Sequence, residues 1–182
     1  MPVQPRPPAP DGGPGAEHAG APPDDHAVGL AHFNSLPFAA AEAAFLECCG
    51  SLRWAHRMAA HRPYPDLGAL LAASDEAGYD LAPDDIAEAL AAETATCLHH
   101  DAPRAAHLAL RAAHAAYESR FGHAFVICLD SSAPSQHVDQ VLAGIRVRLA
   151  HEVDEERAVT AEELRRLARS RIVELVTAGP GR

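Results

Sequence analysis

The chain has 182 residues, 48% of them hydrophobic and only 5% aromatic, enough for one domain with a real core and suited to helices packed through small side chains. Its formal net charge of −10 argues against non-specific nucleic-acid binding, and no run of about 18 apolar residues offers a membrane span. All 15 basic residues are arginine, so pyridoxal and Schiff-base chemistry, both of which need a lysine amine, are closed to this chain acting alone.

Residues 1–27 hold eight of the 15 prolines and show no hydrophobic period, which predicts a disordered tail ahead of a domain over 28–178. Without a secretion signal, and with Cys48, Cys49, Cys97 and Cys128 in no CxxC or CxxxC pair, the chain is expected in the cytoplasm with reduced thiols. Structure is expected from about Phe33. A first helix runs over about 37–49 with Phe38, Ala41, Phe45 and Cys48 on its apolar face, and Gly50 stops it. Ser51 caps a second helix, which carries Trp54 and Met58 and ends before Pro63. Asp66 caps a third, with Leu67, Leu70, Leu71 and Ala77 inward and Gly78 closing it. A fourth begins near Pro83, with Asp84, Asp85 and Glu88 in its first turns and Ile86 and Leu90 inward. Residues 94–102 read as a loop. A long helix follows over about 103–120, with Ala106, Leu110, Ala113 and Tyr117 as its stripe, and then an apolar run without helical period, Phe121 to Cys128, predicts extended backbone. Two further helices, from Pro134 with Val138, Val141, Leu142, Ile145 and Leu149, and over about 154–176, complete an all-α, single-domain helical bundle with one short extended apolar segment.

Chemistry is sparser. On the last helix Arg171 falls on the face shared by Leu164, Leu167, Ala168 and Leu175. A guanidinium keeps its charge, so an internal carboxylate or an anionic ligand must answer it; a salt bridge and a carboxylate clamp are both open. Of the 12 histidines, His107 and His114 stand seven residues apart, and seven helical residues rise about 10.5 Å, too far for one ion. They are expected to flank the apolar stripe, and no metal site is expected. His99 and His100 lie in the predicted loop, where an imidazole can act as general acid or base. Gly122 signals either a special turn or a close backbone approach. No Walker, Rossmann or Ser-His-Asp pattern is present.

Several segments together carry a resemblance: Phe33-Asn34-Ser35-Leu36-Pro37; Cys48-Cys49-Gly50-Ser51 with Trp54; Arg62-Pro63-Tyr64; the run Tyr117-Glu118-Ser119-Arg120-Phe121-Gly122-His123-Ala124-Phe125-Val126-Ile127-Cys128; and Glu155-Glu156-Arg157, Glu163-Leu164 and Arg171 to Leu175. Over about 30–177 the chain resembles the 2-oxo-4-hydroxy-4-carboxy-5-ureidoimidazoline (OHCU) decarboxylases. The resemblance implies an all-α fold, a homodimer, no cofactor, a small anionic heterocyclic substrate, and the last step from urate to (S)-allantoin with loss of carbon dioxide. It places a ligand-binding arginine at Arg171 and substrate contacts along Phe121, Gly122, His123, Ala124, Phe125 and Val126. The family's catalytic histidine stands in an alanine–histidine–proline motif, where this chain reads Ala92-Glu93-Thr94, and its downstream glutamate–glutamine pair has no clear counterpart. Two readings stay open: Glu93, His99 or His100 moves the proton, or the fold persists as a protein that binds an anionic heterocycle or a protein partner.

Overall fold

The structure is a computed structural model that describes residues 25–93, 104–129 and 136–177. The fold is all-α: eight helices and no strand lie among the described residues. In chain order they are α1 (Asp25–Ser35), α2 (Phe38–Cys48), α3 (Leu52–Ala60), α4 (Leu67–Tyr79), α5 (Pro83–Ala92), α6 (Arg104–Phe121), α7 (His137–Arg148) and α8 (Val153–Thr177).

Local chemistry accounts for most of the boundaries. Ser51 Oγ accepts the Trp54 amide at 3.3 Å, and Asp66 Oδ1 accepts that of Ala69 at 2.7 Å, each answering an orphan donor of the first helical turn. At α5 the Asp85 carboxylate accepts the Ala82 amide at 2.9 Å and sits against the positive end of the helix. Other boundaries depart from expectation. The first helix begins at Asp25, ahead of the expected start of order. The third expected helix runs through Gly78 to Tyr79, because the glycine is buried under the Arg165 side chain and does not terminate the turn. Phe38 is 42% exposed rather than inward, and its ring meets the edge of His56.

Helix α8 is the axis. It packs on α1, α2 and α4, and every fourth residue from Glu156 to Val176 is buried. The side of α8 carrying Leu164, Ala168, Ile172 and Val176 faces the larger core, with Phe45, Trp54, Met58 and Leu70. A second core gathers Leu110 and Tyr117 of α6, Val141 and Ile145 of α7, and Phe125. The non-helical segment 122–129 runs between the two, and its alternation works as in any extended chain: Phe125 enters the second core while Val126 enters the first.

Two quoted motifs form one joint. Asn34 donates to the Tyr64 carbonyl at 2.8 Å and accepts the Tyr64 amide at 3.0 Å. Arg62 donates to the carbonyls of Phe33 and Leu36 at 2.9 and 3.0 Å, and Tyr64 donates its hydroxyl to the Met58 carbonyl at 2.8 Å. Phe33-Asn34-Ser35-Leu36-Pro37 and Arg62-Pro63-Tyr64 therefore exist to satisfy each other's backbone where two loops cross.

Candidate functional site

Two hollows meet at Glu93. A cleft of about 730 Å³ lies between α5 (Pro83, Ile86, Ala87, Leu90, Ala91), the residues Phe121, Gly122, His123 and Ala124, and Arg157 and Thr160 of α8. A hollow of about 630 Å³ opens on the other side, between Leu46 and Glu47 of α2, Gly50, Leu52, the end of α5, and Arg171. Glu93 lines both.

Glu93 stands there because α5 ends at Ala92 and the chain turns extended at the next residue, with φ −78° and ψ 139°. Its carboxylate accepts two parallel hydrogen bonds from Arg171, Nη1 to Oε1 at 2.7 Å and Nη2 to Oε2 at 2.8 Å; Nη1 also donates to the Cys48 carbonyl at 3.2 Å. This is the fork-on-carboxylate geometry of a strong charge-assisted pair. The glutamate side chain is 9% exposed and the arginine 33%. The hydrogen bond to Glu93 is the chief cause that raises the Arg171 pKa, against the opposing effect of burial. Glu47 and Glu88 share the hollow, so its wall carries three carboxylates against one guanidinium. Beneath it, burial pushes the Cys48 thiol up to about 12 and the Cys49 thiol up to about 11, which favours the protonated form of both.

On the cleft side the chain turns sharply at Gly122, whose φ of 79° is in the left-handed region. A Cβ there would meet nothing within 4 Å, so the glycine is required by conformation, not by close approach. The turn presents His123 to the cleft. Its Nδ1 lies 3.0 Å from the Ala124 carbonyl, and its ring meets Tyr117 edge-on, centroids 5.5 Å apart. Behind it lies a buried polar cluster. Arg148 donates to Glu156 Oε1 from Nε at 2.8 Å and from Nη2 at 2.6 Å, to Thr160 Oγ1 at 2.8 Å and to the Val126 carbonyl at 2.6 Å. Tyr117 donates its hydroxyl to Glu156, and His151 Nδ1 lies 2.9 Å from the second Glu156 oxygen. Burial alone would raise the Glu156 pKa; the hydrogen bonds from Arg148, Tyr117 and His151 outweigh it and bring the group below its ordinary value. The cluster fixes the backbone on which His123 and Ala124 sit, through Val126, and the cleft wall, through Thr160.

The structure thus joins two of the residues expected to act, Glu93 and Arg171, but as partners of one another. Phe121, Gly122, His123 and Ala124 line the cleft; Phe125 and Val126 send their side chains into the two cores instead. Arg171 is not in the cleft wall, and it stands beside the stripe Leu164, Ala168, Ile172 rather than in its middle. His99 and His100 lie outside the described residues. His114, expected to flank the apolar stripe of α6, is in it: it follows Leu110 by four residues, is 6% exposed and packs on Phe125. Among the described residues no group of three or more His, Cys, Asp or Glu is placed to hold a metal ion. The Arg148–Glu156 pair was not anticipated. Its signals were present: Arg148 shares the apolar face of α7 with Val141 and Ile145, and Glu156 and Thr160 open the four-residue stripe of α8.

The family model described as OHCU decarboxylase matches residues 34–95 and 91–173. The structure of an (S)-allantoin synthase superposes with a TM-score of 0.63 at 19% identity, over 80% of this chain and 53% of that one, so the chain spans about half that protein's length. The structure of an OHCU decarboxylase in the presence of (S)-allantoin superposes with a TM-score of 0.65 at 18% identity, over 73% of this chain and 96% of that one. No curated protein matches the chain.

Proposed function

The chain belongs to the OHCU decarboxylase family, and on that premise we propose that it catalyses the cofactor-independent decarboxylation of 2-oxo-4-hydroxy-4-carboxy-5-ureidoimidazoline to (S)-allantoin. The substrate supplies its own electron sink. When the bond to the carboxylate breaks, the electron pair moves into the neighbouring C=N bond, so the protein needs only to hold the ring, steer the carboxylate and deliver a proton to one face. The reading includes work in the cytoplasm as a homodimer, and the free, buried Cys48 and Cys49 fit a reducing compartment.

One observation carries the reading. Glu93 forms the wall between the cleft lined by Phe121 to Ala124 and the hollow that holds Arg171, and it occupies the guanidinium with the bidentate geometry a substrate carboxylate would use. A ligand carboxylate can take the place of Glu93 on the guanidinium, so Arg171 stays paired while the Glu93 carboxylate is released to the wall of the cleft. Glu93, and His99 or His100 of the following segment, are the sequence candidates for proton transfer. The test is circular dichroism of freshly generated substrate: optically active allantoin should form faster with the protein than without it. A rate equal to buffer removes the activity.

The same ion pair supports a second reading. A guanidinium already answered by an internal carboxylate suits a protein that binds an anionic heterocycle and does not turn it over. Under that reading urate or allantoin raises the melting temperature without reaction, and Arg171→Ala abolishes the rise.

A further inference from the structure

We propose that His123 is the residue that hands the proton to the substrate, through Nε2; this rests on the decarboxylase reading and names the acid it requires. The imidazole lines the 730 Å³ cleft together with Glu93, Phe121, Gly122 and Ala124. Its two nitrogens are made different by the backbone. A carbonyl oxygen only accepts, so Nδ1, 3.0 Å from the Ala124 carbonyl, carries a hydrogen in both protonation states. Nε2 is then the atom at which a proton arrives and leaves, and no described residue bonds to it. The ring is also held in place. It meets Tyr117 at 76° and stacks obliquely on Phe121 at 6.3 Å, and Tyr117 is fixed by the buried Glu156.

The competing groups are spoken for. Both Glu93 oxygens are engaged by Arg171 until a substrate carboxylate displaces them, and a displaced carboxylate accepts hydrogen bonds without a proton to hand over. Thr160 already accepts from Arg148, and the Arg157 guanidinium does not give up its proton at any pH the fold tolerates. Burial pushes the Tyr117 hydroxyl up to about 12, so its proton stays in place. His123 is the group in the cleft wall, among the described residues, that is free to exchange one.

The step balances. The substrate carboxylate leaves as carbon dioxide, its bonding electrons enter the adjacent C=N bond, and the proton on Nε2 passes to the electron-rich ring. His123 is left neutral and regains a proton from water at the open side of the cleft. One negative charge and one proton are consumed, and allantoin and carbon dioxide are formed.

The experiment compares the wild type with His123→Asn and His123→Ala on freshly generated substrate, with melting temperature measured for each. Asparagine keeps a donor for the Ala124 carbonyl and lacks the second ring nitrogen. Both variants should keep the wild-type melting temperature and KM while kcat falls by about 100-fold or more. Added imidazole should restore part of the rate to His123→Ala and leave the wild type unchanged. Undiminished kcat in His123→Asn overturns the proposal. So does a loss in His123→Ala that imidazole cannot restore and that comes with a raised KM or a lowered melting temperature, since that pattern marks a structural residue. A wild type no faster than buffer overturns the decarboxylase reading and this assignment with it; an active wild type beside an active His123→Asn overturns this assignment alone.

Discussion

Arg171 cannot shed its charge, so its partner decides what the hollow receives. That partner is Glu93, and replacing it by glutamine keeps the size of the side chain while removing the competing carboxylate. Glu93→Gln should therefore bind a small organic anion such as urate about tenfold more tightly than the wild type, a gain of about 1.4 kcal/mol measured by calorimetric titration. Arg171→Ala should lose the binding. Equal affinities in the wild type and Glu93→Gln would mean that no ligand contends with Glu93 for the guanidinium. The part of the site legible in the sequence is the part set by this logic. A permanent charge beside an apolar helix face has to be answered, whoever answers it, and so Arg171 could be singled out. Its pairing with Glu93 joins residues 78 positions apart, and no local pattern encodes that. Residues whose role is packing were harder to separate from residues that face the cleft: in Phe121 to Val126 a single apolar run lines the cleft with its first four residues and fills two cores with the last two.

The helices were readable where their ends are written in side chains. Ser51, Asp66 and Pro83 mark helix starts by mechanisms that act within one turn. Helix α1 went unread although Asp24 stands just before its first residue, because its apolar pattern is weak. Its sequence carries Leu30 and Phe33 as the buried anchors, too few to make a stripe, and its stability comes from docking on α8. The docking depends on Gly29, where a Cβ would run into the backbone carbonyl of Val176. Backbone atoms cannot step aside as a flexible side chain can. Gly29→Val should push α1 off α8, cost about 1–3 kcal/mol in urea unfolding, and speed hydrogen exchange of the α1 amides while those of α3 and α4 keep their protection. Unchanged exchange in α1 would show that its docking does not depend on this close approach.

Across the whole molecule, a buried charged pair joins α7 of the second core to α8, the helix that lines the first. Arg148 and Glu156 are both buried, and the arginine also ties down the Val126 carbonyl of the connecting segment. Arg148→Met leaves Glu156 charged, buried and short of its main donor, and should cost about 3–5 kcal/mol in chemical denaturation. The pair also sets part of the response to acid, in sequence with His114. Burial lowers the His114 pKa, opposed by the Glu118 charge, and neither ring nitrogen has a hydrogen-bond partner among the described residues. The Glu156 pKa is lowered as well, its hydrogen bonds outweighing its burial. For each group the unfolded chain binds a proton that the folded chain refuses, so each contributes stability above its unfolded pKa and loses it as pH falls. The His114 loss begins first, as pH drops through its ordinary value of 6.5. The Glu156 loss follows below 4.5. Urea midpoints for the wild type should accordingly decline between pH 7 and 5.5, in a window where the carboxylate is not yet protonated in either state. His114→Leu places an apolar side chain against Phe125 and removes the proton that drives this decline. Its midpoint should be higher than that of the wild type and nearly flat over the same window, with the steeper fall below pH 4.5 retained. A variant whose midpoint declines as steeply as the wild type from pH 7 to 5.5 would show that another group carries the first stage.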